Sequence, residues 1–480
     1  MSAAAARRAI LLALLFGTLC RVAQYAANLS LWHDEAFVAL IVRNVPVAAL
    51  LGPLDWNEPS PPGFLAVEKV VVAAFGESER SLRLVPLLAA IGGLLAVARL
   101  ALRACLDRRG AVCAVLLAAA SKALIIDAAQ VKHFSLDFFI AAVMATLAWR
   151  ASRDGGGRRA AVLAWGGVAV VGLWLSYAVV FSVGGHGAVL VSDAWRRRSR
   201  AAVRALATVG IALALSAAIL STAVLAQRSG AVVEFWSAQF PPRDGIAALL
   251  VWLLRAAVAM FDQLWRPLGG LLLAPAAFGA LAWWRSDRRP LLAILTLPVL
   301  GSLAAAAVGW WPFGGTQHMR FAAPALLLLA GDGLGQLYGR LLSQQPRLAR
   351  AGVAAVLVPG VLYAAWHVAA PHQRHAMREA IAFMQARAQP EDRLAVFDPA
   401  SFAFYTGIDM RGAPLVLPSA VRVWVVTPTS SHGDLAPVVQ AFIEQLAAQR
   451  PRQQEQVRGG AAAYLFGAAG AADDVSESRR

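Results

Sequence analysis

Apolar runs near the length of a membrane-spanning helix recur from residue 9 to residue 369 of this sequence, with arginine clusters between them. The hydrocarbon core of a bilayer requires about 20 apolar residues for each crossing helix. The composition agrees, since 59% of the 480 residues are hydrophobic and only 15% are charged. That is far more apolar side chain than a soluble core requires. The sequence therefore predicts a polytopic α-helical membrane protein.

The hydropathy pattern predicts about eleven membrane spans. They lie near residues 9–27, 81–102, 111–127, 137–150, 160–177, 178–194, 201–226, 267–284, 290–309, 321–341 and 351–369. Arg7 and Arg8 before the first run are typical of a signal peptide, but no small-residue cleavage site follows Leu19. We interpret this run as a retained signal anchor.

The formal net charge of +16 is concentrated in short connections between the predicted spans. These basic connections lie near residues 103–109, 150–159, 196–200, 285–289 and 340–350. Positively charged loops face the cytoplasm, so the N-terminus is predicted to be cytoplasmic and the residues after about 370 to be periplasmic. The positive charge therefore does not indicate a nucleic-acid partner. The arginine-rich usage and short loops are typical of a bacterial inner-membrane protein.

The chain divides by pattern into a membrane domain, residues 1–369, an extracytoplasmic α/β domain, residues 370–470, and a disordered tail, residues 471–480. The first external loop, 28–80, is predicted to hold interfacial helices at 34–51 and 64–75, and 248–266 is predicted as an external amphipathic segment. In the C-terminal part, helical patterns at 375–388 and 436–449 alternate with strand patterns at 393–398, 421–428 and 461–467. Such alternation predicts a small, partly parallel sheet.

Asp34 and Glu35 are the leading candidates for catalysis, because they are adjacent carboxylates at the outer end of a membrane bundle. A partly shielded carboxylate there is suited to act as a general base or to orient an acceptor hydroxyl. The alternative is structural: Asp34 would cap the interfacial helix, with Glu35 complementing the helix dipole in the first turn. The two roles are compatible.

Two further external stretches carry charges that a ligand would use. The stretch 127–139 offers Lys132, His133 and Asp137, of which the cations suit a phosphate and the carboxylate suits a sugar hydroxyl. Before a late span, His318 and Arg320 suit an anionic ligand at the bilayer surface. The alternatives are a charged pair that bridges two helix ends and an arginine that snorkels to lipid headgroups.

The external loops also suggest an acceptor surface. Glu58 lies in a proline-rich turn, and Glu234 and Trp236 lie in the aromatic-rich segment 227–247, which an interfacial aromatic belt would also explain. Lys69 follows that turn and would add a cation. No H-E-x-x-H, C-x-x-C or dense carboxylate cage is present, so the sequence predicts no metal ligands, and a divalent metal remains unsupported.

The order of four stretches resembles the GT-C glycosyltransferases: "WHDEA" (32–36), "NEPSPPGFLAVEKVVVAAFGESERSLRLVPLLAAIGGLLAV" (57–97), "QVKHFSLDFFIAAV" (130–143) and "QHMRFAAPALLLLAG" (317–331). The resemblance is strongest over residues 30–103 and points to the protein O-mannosyltransferase-like branch, which includes the lipid A aminoarabinose transferases. Members of this branch often have His-Pro-Pro where this chain has Ser60-Pro61-Pro62. The lipid A transferases have a lysine where this chain has Glu58.

The resemblance implies a polyprenyl-phosphate-linked sugar as donor, delivered by the membrane lipid, and a glycan, lipid or protein as acceptor. In that family the acidic residue of the first external loop is essential, which corresponds to Asp34 with Glu35 beside it. Arg320, Lys132 and Lys69 would hold the leaving phosphate, and Asp34 would deprotonate or align the acceptor hydroxyl for displacement with inversion.

Two other functions remain open at this point. A transporter or flippase of an anionic lipid or solute would usually place its charges at mid-bilayer between repeated halves. Here the notable charges cluster toward one face and no internal repeat is detected, which favours the enzyme. An inactive relative that acts as a binding subunit is the third alternative, and the presence of Asp34 and Glu35 argues against it.

Overall fold

The structure is a computed structural model that describes residues 1–153, 158–266, 268–412, 417–430 and 433–469. The predicted disordered tail, 471–480, lies outside the described residues. The chain forms two compact units. The first comprises Met1–Ala27, Pro46–Gly76 and Arg80–Pro371, and the second comprises Asn28–Val45, Glu77–Glu79 and the chain from His372 onward.

Helices dominate the first unit and also occur in the second. In chain order, the α-helices of the described residues are α1 (Ala3–Ala26), α2 (His33–Asn44), α3 (Pro62–Phe75), α4 (Glu79–Leu82), α5 (Leu84–Ala104), α6 (Arg108–Ala119), α7 (Lys122–Ile126), α8 (Phe134–Arg153), α9 (Arg158–Leu175), α10 (Val179–Arg196), α11 (Arg200–Gln227), α12 (Gly230–Phe235), α13 (Ile246–Leu264), α14 (Leu273–Trp284), α15 (Arg289–Ala307), α16 (Ala323–Gln344), α17 (Pro346–Ala369), α18 (Met377–Gln385), α19 (Pro399–Thr406) and α20 (Pro437–Gln449). Short 3₁₀ turns lie at Val47–Ala49, Asp55–Asn57, Asp127–Ala129, Ser237–Gln239, Gly269–Leu272 and Gln317–Ala322.

Among the described residues, 9 helices are long and apolar enough to cross a membrane, or 10 when a bent pair is counted as one span. This confirms the polytopic membrane fold, with fewer spans than predicted. The predicted span 111–127 is the bent pair, with a 51° break between α6 and α7 where Ser121 is extended. The predicted span 267–284 is a shorter helix, Gly269–Trp284.

Two helices differ from the pattern in opposite ways. Helix α10 matches a predicted span but is not among the nine, because its 18 residues include His186, Asp193 and Arg196. Helix α13 covers the predicted external segment 248–266, yet it passes as a membrane span, and only 17% of its apolar window is buried in the protein. Its length and exposed apolar surface therefore favour lipid contact over the external position predicted for it.

Close packing with neighbouring helices fixes the middle of α16. A Cβ atom added to Gly331 of α16 would lie 2.4 Å from the Ala114 Cα of α6, so this approach requires glycine. Beside it, the buried Asp332 carboxylate accepts hydrogen bonds from Trp283 Nε1 (2.6 Å) and from the Leu106 backbone N (3.0 Å). These contacts join α16 to its neighbours at short range.

The second unit contains a sheet of four strands: β1 (Arg393–Val396), β2 (Val423–Pro428), β3 (Arg452–Arg458) and β4 (Ala461–Phe466). The spatial order is β1-β2-β4-β3, with β1 and β2 parallel and the other pairs antiparallel. This confirms the partly parallel C-terminal sheet. Strand β3 was not predicted, because its residues are polar along both faces and it lies at an exposed edge. Helix α19 was not predicted either.

Helices cover both faces of this sheet. On one face, α18 and α19 pack on β2 and β4 through a core that contains Met377, Ile381, Met384, Phe402, Trp424, Val426, Ala463 and Leu465. On the other face, α20 packs through Val439, Ile443 and Leu446 on Val423, Val425, Ala462 and Tyr464. Because β4 is buried along its whole length, it lacks the alternation of a half-exposed strand.

Candidate functional site

Helix α2 carries both predicted catalytic carboxylates in its first turn. The N-cap residue is Trp32, so the interpretation of Asp34 as the helix cap is wrong. Glu35 is buried and reaches back toward the Trp32 backbone N, at 3.5 Å, which is the geometry of a capping box. Asp34 instead faces His33, with 2.9 Å between Asp34 Oδ1 and His33 Nε2, and its side chain is 22% exposed. Asp34 is therefore the more exposed of the two carboxylates.

Helix α2 is held in place by the C-terminal part of the chain. The Leu31 backbone N donates to the Tyr405 hydroxyl at 2.7 Å, across 374 residues of sequence. Arg43, in the last turn, donates to the Phe404 carbonyl at 3.0 Å and to Glu77 at 2.9 Å. Residues Asn28–Val45 and Glu77–Glu79 of the first external loop thus belong to the same unit as the C-terminal domain, and these contacts hold α2 in that unit.

Three side chains lie close together beside Asp34, and the sequence analysis did not identify them as a cluster. One ligand atom each of His33, His375 and Asp398 lies within 4.8 Å of the others. Burial, and then the nearby His33 and Arg374, lower the pKa of His375 to about 4. Burial raises the pKa of the Asp398 carboxyl. No local motif signals this cluster, because its members come from three distant parts of the sequence.

In the first unit, Lys132 forms an ion pair with Glu58. The distance from Lys132 Nζ to Glu58 Oε1 is 2.5 Å, and the Lys132 side chain is 2% exposed. The proline-rich turn that holds Glu58 is itself fixed, since the Ser60 backbone N donates to the Gln227 side chain at 3.0 Å. A predicted phosphate-binding cation and a predicted acceptor-loop carboxylate therefore contact each other directly.

Arg320 is also engaged by a carboxylate. Its buried guanidinium forms an ion pair with Asp127 and donates a second hydrogen bond to Gln263. The interpretation of Arg320 as an arginine that snorkels to headgroups is therefore wrong. Asp127 was missed as a site residue, although it opens the stretch 127–139, and its position at the end of an apolar run next to basic residues was the available signal.

Asp137 and His133 have buried polar atoms that lack hydrogen-bond partners among the described residues. Asp137 is 1% exposed, and neither carboxylate oxygen has a hydrogen-bond partner among the described residues. The Ser176 hydroxyl lies beside it without a well-formed hydrogen bond. The His133 Nδ1 atom is likewise buried and unpartnered within the described chain. Buried polar groups without partners are costly, and they mark places where a ligand supplies the missing contacts.

Aromatic rings surround His318 and link the predicted acceptor segment to it. Its ring contacts Trp236 with centroids 5.0 Å apart, Phe134 at 5.6 Å and Trp311 at 5.7 Å. Glu234 lines an open depression of about 530 Å³ with Arg228, Ser229, Gly230, Val233, Ser237 and Phe240. The structure therefore brings Trp236 to His318 and places Glu234 on an adjacent surface of the same segment.

Helix α3 carries Lys69, which is half-buried, and Glu68, which is 0% exposed. Burial lowers the pKa of Lys69 and raises the pKa of Glu68 well above its usual value. Neither Glu68 oxygen has a hydrogen-bond partner among the described residues. The folded state therefore favours protonated Glu68.

We expect Glu68→Gln to stabilise the protein at alkaline pH. Because the pKa of Glu68 is raised by folding, its stabilising contribution is complete below the unfolded pKa and is lost as the pH rises from there toward the folded value. At about pH 8 the variant should gain about 1–3 kcal/mol over the parent, with a smaller gain at about pH 5. Thermal unfolding in detergent at both values tests this, with the exposed Glu391→Gln as control. Equal gains at both values would contradict it.

Comparison with known proteins shows a structural likeness. No family model matches the sequence, and no curated protein matches it. The apo structure of ArnT from Cupriavidus metallidurans matches at 16% identity and a TM-score of 0.55, covering 94% of this chain and 97% of that one. ArnT of the same organism bound to undecaprenyl phosphate matches at 14% identity and a TM-score of 0.54, with the same coverage. This chain therefore has the fold of ArnT over nearly its whole length, as the resemblance in its sequence implied.

Proposed function

We propose that this protein is a membrane glycosyltransferase that moves a sugar from a polyprenyl-phosphate donor to a hydroxyl acceptor on the extracytoplasmic face. One observation carries the proposal: 94% of this chain matches the fold of ArnT, a protein that has been solved with undecaprenyl phosphate bound. The apolar spans supply the lipid environment that such a donor requires. A bacterial inner membrane is the location that fits both the lipid-linked donor and the membrane-spanning helices.

In the proposed reaction, the acceptor oxygen attacks the anomeric carbon from the side opposite the phosphate. The bond between the anomeric carbon and the phosphate oxygen breaks, its electron pair stays on the phosphate, and the sugar is transferred with inversion. Asp34 takes the proton of the acceptor hydroxyl, a role supported by its partly exposed carboxylate in the first turn of α2. Phosphate is already a good leaving group, so orientation and charge complementarity supply much of the rate enhancement.

Arg320 and Lys132 are the proposed partners of the donor phosphate. Each is buried and held by a carboxylate, Asp127 and Glu58 respectively, so each presents its charge in a fixed position. A cation that is already oriented costs little reorganisation when negative charge develops on the leaving group. His133 and His318 line the same region as donors, and Asp137 is the proposed acceptor for a sugar hydroxyl, since its oxygens lack partners within the described chain.

The proposed acceptor is a glycan, a lipid or a protein that reaches the aromatic segment around Trp236 and Glu234. Trp236 packs on His318, and Glu234 borders an open depression in the same segment, and both support this segment as the acceptor side of the proposed site. An aromatic face is suited to stack on an apolar sugar face, and Glu234 is suited to accept hydroxyl hydrogen bonds.

Binding of undecaprenyl phosphate is the first test. In nanodiscs, native mass spectrometry should show undecaprenyl phosphate bound at least about tenfold more tightly than the neutral undecaprenol, because a phosphate gains charge-assisted hydrogen bonds. Lys132→Met should reduce this preference, whereas Lys122→Met should not, since Lys122 Nζ lies over the Tyr363 ring at 5.1 Å. The double variant Lys132→Met/Glu58→Gln avoids leaving a carboxylate unpaired and should show the same loss.

The product distinguishes an enzyme from a transporter. Mass spectrometry of envelope glycans should show one modification absent in a deletion strain and restored by the parent gene. Equal binding of undecaprenyl phosphate and undecaprenol, with an unchanged envelope, would overturn the proposal. Movement of a lipid-linked sugar across the membrane without covalent transfer would favour the flippase instead.

A further inference from the structure

The cluster of His33, His375 and Asp398 lies at three element boundaries of the second unit. His33 is the first residue of α2, His375 precedes α18, and Asp398 caps the N-terminus of α19. One ligand atom from each lies within 4.8 Å of the other two. We infer that these three side chains bind a divalent transition-metal ion, and that their chemistry selects Zn²⁺.

The ligand types identify the class of ion. Two imidazoles and one carboxylate, with a fourth position open, form a common donor set for Zn²⁺, whereas Mg²⁺ and Ca²⁺ prefer oxygen ligands. Tetrahedral Zn²⁺ with bonds of about 2.0–2.2 Å holds its ligand atoms about 3.3–3.6 Å apart. Atoms that already lie within 4.8 Å reach this spacing by small rotations of the side chains.

The surroundings orient the ligands as a metal site requires. Asp398 accepts hydrogen bonds from the Ser401 backbone N at 3.1 Å and from the Ser401 hydroxyl at 2.7 Å, which fix the carboxylate. His33 faces the Asp34 carboxylate at 2.9 Å, and a carboxylate beside a ligating histidine is a common outer partner. The His375 ring packs against His33, with centroids 5.7 Å apart, and its buried Nδ1 has no hydrogen-bond partner among the described residues, so this atom is available to an ion.

Ligation would fasten the first turn of α2 to the segments before α18 and α19. Since His33 neighbours Asp34 in sequence and contacts its carboxylate, the ion would also fix the orientation of Asp34. His33 is then a positioning residue for the proposed base. This consequence rests on the proposed glycosyltransferase function, whereas binding of the ion does not.

Metal binding is measured directly on the full chain, purified in detergent without a histidine tag. Equilibrium dialysis against Zn²⁺ followed by elemental analysis should give about one bound ion per chain. His33→Gln, His375→Gln and Asp398→Asn should each weaken binding at least about tenfold. Asparagine retains the helix cap of α19, so Asp398→Asn separates lost ligation from lost folding. Co²⁺ should give the visible d–d absorption of a tetrahedral site.

His367→Gln is the matched control, since His367 lies in α17 and contacts the Ala370 carbonyl at 3.3 Å. Its Zn²⁺ binding should equal that of the parent. A chelator should lower the melting temperature of the parent and of this control, and Zn²⁺ should restore it. A parent chain that binds no more Zn²⁺ than Asp398→Asn would overturn the inference, whatever the outcome of the undecaprenyl phosphate tests. A parent chain that binds Zn²⁺ but transfers no sugar would count against the proposed function alone.

Discussion

Replacing Asp34 by asparagine should lower the rate of sugar transfer by about 10²–10⁴-fold, because asparagine matches the shape of aspartate but cannot accept the acceptor's proton. The structure offers no reason for a folding defect, since Asp34 does not occupy the N-cap position and its side chain is 22% exposed. Undecaprenyl phosphate binding should persist in this variant. The measurement is the envelope modification, quantified by mass spectrometry in a deletion strain that carries the variant gene.

Two further variants sharpen this result. Glu35→Gln should act mainly on stability, because Glu35 is buried and its carboxylate reaches the Trp32 backbone N. Asp409→Asn serves as the control, since Asp409 pairs only with its neighbour Arg411 at the surface in the contacts that the structure describes. Full restoration of the modification by Asp34→Asn would refute its assignment as the general base.

Breaking the buried Arg320–Asp127 ion pair should produce a large loss of stability. Removing one partner of a buried pair leaves an uncompensated charge, so Asp127→Asn should reduce the free energy of unfolding by about 3–5 kcal/mol. The double variant Asp127→Leu/Arg320→Met should recover most of this loss, because it removes both charges together. Thermal unfolding in detergent compares the parent, the single variant and the double variant.

The double variant also separates stability from ligand binding. If Arg320 binds the donor phosphate, the folded double variant Asp127→Leu/Arg320→Met should bind undecaprenyl phosphate at least about tenfold more weakly than the parent. Arg197→Met provides the comparison, since the Arg197 side chain is 51% exposed and its partner Asp193 also pairs with Arg158, which keeps the carboxylate compensated. An Asp127→Asn variant as stable as the parent would show that the pair does not compensate a buried charge.

The candidate residues were found to different extents by pattern. Asp34, Lys132 and Arg320 stood out because charges at the ends of apolar runs are unusual wherever the sequence places them. Asp127 was missed, and Glu58 was predicted for the acceptor surface and not as the partner of Lys132, because both ion pairs became visible only in the packed structure. The burial of Glu68 without a hydrogen-bond partner among the described residues is likewise a property of the packed unit.

The sequence by itself determined most of the membrane-spanning helices and most of the C-terminal α/β elements. Hydropathy and periodicity are local properties, and they persist whatever the neighbouring elements do. Only the tertiary structure decided that α2 belongs with the C-terminal part of the chain and that His33 meets His375 and Asp398. Contacts between residues hundreds of positions apart depend on how the elements pack, so local sequence patterns do not predict them. The polar edge strand β3 was not predicted for the same reason, because its pairing with β4 defines it as a strand.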